Sequence, residues 1–462
     1  MPRGPQVRQS RLTRLAKRLG LAVAVILICL LGVGFWLALW QNWKMDQAVA
    51  ALRQSGAPTQ LSDLGKHDVP DADNAALVYE QAFKALRLTH DDDLFLTQLV
   101  KDEPARASAA NVQRAESILE ANQGALQLLE QASKMPRSRF PVNWEAYPDQ
   151  KLGHLSNLRK SARLLSAHVW LSVRKGNAEE ALRRCATIFA LNQSLAEEPT
   201  MVSQLPRYSI IAIAYTALQS ALEDSRPPPE QCLALAEQLA HIDLNQGYIT
   251  ALQGERAMGL ALVHMMFTGQ GLAKPGSDEQ SRQAVQSASD KSAPRELPGL
   301  TPLRLLFAGD VLRFLKNMER LIEVARLPYR ELVKVKSLPR EEEPSLFPPR
   351  LLSGVLMPVF SGSRTVAYRD AASAPLRLAQ VALRLKAYRA AHTEYPDSLA
   401  TLEQAAAKPL PQDPFAGKPF GYRREGRGFL LYSWGPNLKD DGGTPPPKRQ
   451  YTQGDILFQC SR

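Results

Sequence analysis

Residues Leu152–Leu195, LGHLSNLRKSARLLSAHVWLSVRKGNAEEALRRCATIFALNQSL, decide the fold class. Apolar residues recur at helical spacing from Leu152 to Val173. Lys175-Gly176-Asn177 then stops the helix and turns the chain, and Ala178 to Leu195 resumes the same period. The result is an antiparallel helical hairpin, and the pattern extends in both directions over residues 46–270. Upstream, Asn74 to Leu86 places Leu77, Ala82 and Leu86 on one face, with Asp71 and Asp73 as capping candidates. The acidic run Asp91-Asp92-Asp93 after His90 suits a helix N-terminus. Downstream, a helix runs through Ser209 to Leu222. The triple proline Pro227–Pro229 then opens the first turn of the next helix, Glu230 to His241. A solenoid-like helical-hairpin domain over 41–268 is the expectation.

Within it, KGNAEEALRRCATIF resembles the turn and second helix of a tetratricopeptide repeat, with Gly176, Asn177, Ala181 and Leu182 at the familiar positions. No second copy follows at a 34-residue period. The resemblance implies a concave face that binds a peptide or protein.

At the other end of the chain, 22 consecutive uncharged residues run from Leu19 to Trp40 (LGLAVAVILICLLGVGFWLALW). As a helix this run spans about 30 Å of hydrocarbon. Arg3, Arg8, Arg11, Arg14, Lys17 and Arg18 precede it and only Lys44 follows closely, which puts the N-terminus in the cytoplasm. Trp36, Trp40 and Trp43 mark the far interface. A cleaved signal peptide would have a shorter apolar stretch and a small-x-small site. An uncleaved single-pass anchor at 19–40, after a basic cytoplasmic tail at 1–18, is the expectation. The six tail cations also explain most of the formal net charge of +11. The other 444 residues carry 51 basic and 46 acidic side chains, so no polyanion-binding face is implied and nucleic acid is not an expected partner.

Beyond the hairpins, Gly269 to Gly299 is rich in Ser, Gln, Gly and Pro without an aromatic, and reads as a flexible linker over 269–300. Helix returns from Pro302 to about Val335, within a helical segment 301–336. Its Leu303, Leu306, Phe307, Val311, Leu312, Phe314 and Leu315 are too apolar for a solvated helix. A proline-rich connector follows at 337–362. The last hundred residues are mixed. Arg364 to His392 reads as one long helix, with Leu376, Leu378, Val381, Leu383, Leu385 and Tyr388 buried. Thr393-Glu394-Tyr395-Pro396 ends it, Asp397 caps a short helix carrying Leu399 and Leu402, and Asp413-Pro414-Phe415 lies in a turn-rich connector. Phe420 to Arg423 and Phe429 to Trp434 form a hairpin, and Asp455 to Phe458 is a last strand. The fold class expected is therefore mainly α: one transmembrane helix, a helical-hairpin domain and a small C-terminal α+β domain over 363–462.

The order of long helix, YP turn, DPF connector, hairpin, YSWGPNLKDDGG and terminal GDI resembles the globular part of the major pseudopilin of bacterial type II secretion systems. Tyr395, Pro396, Leu402, Asp413, Pro414, Phe415, Tyr432, Ser433, Gly435, Asp440, Gly442, Gly443, Asp455 and Ile456 are among the matching residues, within roughly 364–458. The family begins with a processing site directly before its membrane helix; here Gly34-Phe35 lies late in the apolar run and no Glu follows. The pseudopilin-like helix also lies more than 300 residues from the anchor, so assembly into a pilus-like filament is not implied. The resemblance does imply a Ca2+ ion in the C-terminal loop, held by Asp440, Asp441, Asp455, the Asn437 side chain and the Leu438 carbonyl. A solvated turn is the other reading of Lys439-Asp440-Asp441-Gly442-Gly443.

Catalytic motifs are missing. Walker A, GxGxxG, GxSxG, HExxH and CxxC patterns do not occur, and the seven histidines are isolated in sequence. His154 and His168, 14 residues apart in one helical stretch, are too distant to share a metal. Cys185 and Cys232 are permitted to pair in an oxidising compartment. The expected protein is a non-catalytic, membrane-anchored binding or scaffolding protein of the bacterial inner membrane. Its bulk is expected in the periplasm and its partner is expected to be an envelope protein, with a secretion-related assembly as the setting the resemblance implies. An envelope hydrolase whose site assembles only in three dimensions, and a calcium-responsive sensor, are the alternatives. A pocket lined by buried carboxylates would favour the hydrolase and an apolar groove the binder.

Overall fold

The structure, a computed structural model, describes residues 6–65, 69–101, 103–223, 225–268, 301–335, 363–446 and 454–461, with the side chains of 6–15 and 363–368 left aside. The expected linker 269–300, the whole connector 337–362, His67 and residues 447–453 lie outside them. The described chain is mainly helical with a small three-stranded sheet. It divides into two compact units: residues 1–60, 259–317 and 341–357, and residues 61–258, 318–340 and 358–462.

The smaller unit contains α1 (Gln6–Gln54), the end of α10 (Leu244–Thr268) and most of α11 (Pro302–Ala325). The apolar part of α1 is long and apolar enough to cross a membrane and buries none of its surface in the protein. The helix does not stop at its last tryptophan. Its continuation buries Met45 and Val49. Arg304 of α11 donates through Nε to Asn42 Oδ1 at 2.7 Å and pairs with Asp46. Gly309 makes this approach possible, because a Cβ there would lie 2.6 Å from Gln41 Oε1. Of the apolar residues read in α11, Phe307, Val311, Phe314 and Leu315 are buried, while Leu303 and Leu306 stay exposed.

In the larger unit the expected hairpin is formed by α6 (His154–Arg174) and α7 (Ala178–Gln193). Gly176 turns the chain at φ +71° and Asn177 caps α7 by accepting from Glu180 N at 3.0 Å. Before it come α2 (Ala75–Ala85), α3 (His90–Leu99), α4 (Ala109–Ala121) and α5 (Gln123–Ser133). The cap of α2 is Asn74, which accepts from Ala76 N, and Asp71–Asp73 form a 3-10 turn instead. The acidic run does open α3, with Thr89 and Asp92 closing a capping box. After the hairpin, α8 spans Met201–Glu223, beginning well before Ser209 and carrying Pro206 inside it, and α9 spans Pro229–Ala240. The helix expected from Pro302 to Val335 breaks after Ala325, and Pro328 starts the single turn α12 (Tyr329–Leu332).

The long C-terminal helix α13 (Ser363–His392) is a core helix. It packs against α8 and α9, and from Leu378 to Ala387 every residue is buried. Its polar residues there reach main-chain oxygens: Arg384 donates to Pro409 O and Lys386 to Ser225 O. The helix α14 (Leu399–Ala406) is capped by Ser398, not Asp397, which pairs with Arg424. Strands β1 (Gly421–Glu425), β2 (Gly428–Ser433) and β3 (Ile456–Cys460) form an antiparallel sheet in the order β1-β2-β3, with Gly426 at φ +57° in the tight turn of the hairpin. The main chain of β3 is tied to α8, since Tyr215 Oη donates to Leu457 O at 2.5 Å and Gln219 to the same oxygen. One apolar cluster runs from Ala75 through α6–α9 to Phe458 and Cys460. The hairpins and the C-terminal segment therefore share a core and are not separate bodies. An open solenoid would expose the flank of α8 and α9 that α13 covers. Cys185 and Cys232 are both buried free thiols.

Candidate functional site

Three places in the larger unit hold polar or hollow features beyond simple packing. The first is the C-terminal loop. It folds back on the last strand: Asp455 is buried, its carboxylate accepts from Gly443 N at 2.7 Å and Asp441 N at 3.4 Å, and its amide donates to Thr444 O. Asn437 Nδ2 donates to Asp441 Oδ2 at 2.7 Å, and Asp440 Oδ1 accepts from Gly442 N. Leu438 sits at φ +59°. Burial pushes the Asp455 carboxyl up, its two amide donors oppose this, and Asp441 and Asp440 add to the rise. The loop thus brings the five expected residues close together, and oxygens of Asp440, Asp441, Asp455 and Asn437 accept hydrogen bonds within it. No group of three or more His, Cys, Asp or Glu side chains at metal-holding geometry occurs among the described residues. The nearby Asp413 has a structural job: it accepts from Phe415 N, Ser433 Oγ and Trp434 N, pinning the DPF connector to the end of β2.

The second place is a groove of about 310 Å³ between α8 and α13, lined by Leu205, Tyr208, Ile211, Ala212, Ala372 and Pro375 together with Ala371. Leu205 is 56% exposed and Val202, one turn away, 54%. The Tyr208 hydroxyl is buried without a hydrogen-bond partner, and burial pushes its phenol well up. Pro375 has no N–H to donate to the carbonyl of Ala371 one turn earlier in α13.

The third place is a polar network where α6 begins. His154 Nε2 lies 2.6 Å from Glu198 Oε1, and Ser203 Oγ donates to Glu198 Oε2. Beside it, Glu255 accepts from Met201 N and Thr200 Oγ1, both at 2.8 Å. Arg207 is fully buried and forms no ion pair among the described residues, with the Asp243 carboxylate near enough to favour its charge. Its guanidinium donates to Asn192 O, Gln204 Oε1 and Gln193 Oε1, and burial brings its pKa down to about 10. The room for it comes from Gly247, where a Cβ would lie 2.0 Å from Arg207 Nη1. His154 also lines an open pocket of about 350 Å³ with Glu80, Lys84, Phe83, Phe140 and Lys151. The rings of Phe140 and His154 stack at 4.3 Å.

Sequence alone missed both hollows. His154 is isolated along the chain because its partner Glu198 is 44 residues away, in the connection between α7 and α8. Tyr208 stands beside Pro206 in a helix whose start the periodicity missed. The other histidine of α6, His168, sits near Glu180 at 3.6 Å, yet burial, then Arg184 and Arg183, hold its pKa down to about 4. The carboxylates that burial pushes up, Glu255, Asp370 and Asp455, line neither hollow.

No family model, curated protein or solved structure matches this chain significantly.

Proposed function

We infer that the protein is a membrane-anchored binding or scaffolding protein of the bacterial envelope, with its N-terminus in the cytoplasm and its helical body outside. The six cations before the apolar run support the orientation. The groove between α8 and α13 carries the binding reading. Its occupant is an apolar peptide segment of an envelope protein. The wall is apolar, Leu205 and the neighbouring Val202 are exposed beside it, and the alanines admit a close main-chain approach. The pseudopilin-like order of the last hundred residues supports a role in a secretion-related assembly.

The hydrolase alternative draws on the His154–Glu198 pair beside a pocket. A histidine base needs a nucleophile within hydrogen-bond reach. Ser203 donates to Glu198 instead, which favours a binding role. Co-purification of the full chain from native membranes, compared with Ala212→Trp and Ala371→Trp, tests the reading. Loss of the same envelope protein in both groove-filling variants, at unchanged abundance of the chain, is expected; equal recovery with all three would overturn it.

A further inference from the structure

The pocket at the start of α6 holds charge that the chain itself does not use. Glu80 and Lys84 stand one turn apart on α2, yet they form no ion pair with each other. Among the described residues neither they nor Lys151 has any ionic or hydrogen-bond partner. All three line one cavity, and its wall is aromatic: Phe83 and Phe140 are parallel within 13° at 6.3 Å, and Phe140 stacks on His154 within 18° at 4.3 Å. The base of this wall is rigid, because His154 is held by Glu198 and Glu198 by Ser203. Phe140 is buried, and the main chain beside it is fixed by Asn74, whose side chain donates to Arg139 O and accepts from Arg139 N. A pocket of about 350 Å³ is at the small end of the range for ligand sites, roughly 300–1,000 Å³, so its occupant is one small molecule.

We propose that this pocket binds a small zwitterion with an apolar or aromatic body, a free amino acid or a dipeptide. Its carboxylate meets the ammonium groups of Lys84 and Lys151, its amine meets Glu80, and its side chain lies against the Phe83–Phe140–His154 wall. Charge-assisted hydrogen bonds to both ends give orientation, and the half-buried Phe83, backed by Phe140 and His154, offers the apolar surface that the ligand's body covers. Two cations and one anion around the same hollow discriminate against a simple cation and favour a ligand that presents both signs. The site is distinct from the groove between α8 and α13 and does not depend on what that groove holds.

Calorimetric titration of the detergent-solubilised full chain with L-phenylalanine, the dipeptide Ala-Phe, phenylacetate and N-acetyl-phenylalaninamide tests this. Saturable binding of at least one zwitterion is expected. It should weaken by about tenfold or more in Lys84→Ala/Lys151→Ala and in Glu80→Gln, and be lost in the blocked amide. Lys84 and Lys151 are exposed and Glu80 is unpaired, so the melting temperatures of these variants should match the parent and a folding defect would be seen separately. Absence of saturable heat with both zwitterions would overturn the proposal. So would equal affinity for phenylacetate or the blocked amide, or binding that the charge variants leave unchanged.

Discussion

Between α8 and α13 the chain leaves a hollow walled by alanines, Ile211 and Pro375, beside a tyrosine whose buried hydroxyl has no partner. Where α6 begins it leaves another of similar volume, walled by stacked rings and unpaired charges, over a network in which His154, Glu198 and Ser203 satisfy one another. The difference lies in what the surrounding core demands. At the second hollow a carboxylate is buried with two donors, so the fold depends on it. At the first, the exposed Leu205 contributes little to the fold and is costly to leave in water. A partner is therefore expected at the first, and the scaffold's own stability is concentrated beneath the second.

The largest effect that would break this contrast is on stability. Removing the carboxylate in Glu198→Ala leaves His154 and Ser203 buried without their acceptor, and a loss of about 2–4 kcal/mol is expected in denaturant midpoint measurements on the solubilised chain. A loss no larger than that of a surface substitution would mean the network does not anchor the fold.

A second effect, on the order of 1–3 kcal/mol, depends on pH. Folding lowers the pKa of His168 to about 4. Above about pH 6.5 both folded and unfolded chains hold it neutral and stability is undiminished. As pH falls from there toward 4, the unfolded chain takes up a proton that the folded one refuses, so stability declines and then levels below the folded pKa. His168→Gln should flatten that part of the stability–pH curve relative to the parent; parallel curves would contradict it.

Smaller still, Tyr208→Phe removes the buried unpaired hydroxyl and should raise stability by about 0.5–1 kcal/mol. A destabilised variant would mean the hydroxyl has a partner in the free protein. Leu205→Ser should change stability by less than about 0.5 kcal/mol, because the side chain is exposed, and yet reduce partner recovery.

Local features were legible in the sequence to the extent that their causes are local. The turn at Gly176-Asn177, the acidic start of α3, the apolar run of α1 and the β1–β2 hairpin each depend on a few neighbouring residues, and each is in place. Caps were misplaced by one residue at Asn74 and Ser398, where several adjacent acceptors compete for the same amides. The role of α13 was not legible. Its apolar residues looked like one face of a small module, and only its packing against α8 and α9 explains why Leu378 to Ala387 are buried all round. Both hollows escaped for the same reason. The groove needs Tyr208 and Pro375 from two distant segments of the chain, and the pocket needs Glu80, Phe140 and Lys151 from three separate stretches.

The central claim is that the groove between α8 and α13 receives an apolar peptide segment of an envelope protein. Site-specific photo-crosslinking in native membranes tests it most directly, with the probe at Leu205 and a control probe at Leu233, an equally exposed leucine on α9 that does not line the groove. The predicted result is one discrete adduct from position 205, mapping to an apolar segment of a single envelope protein, absent from position 233 and abolished by Ala371→Trp. The same adducts from both positions, or an adduct at 205 that survives the filled groove, would contradict it.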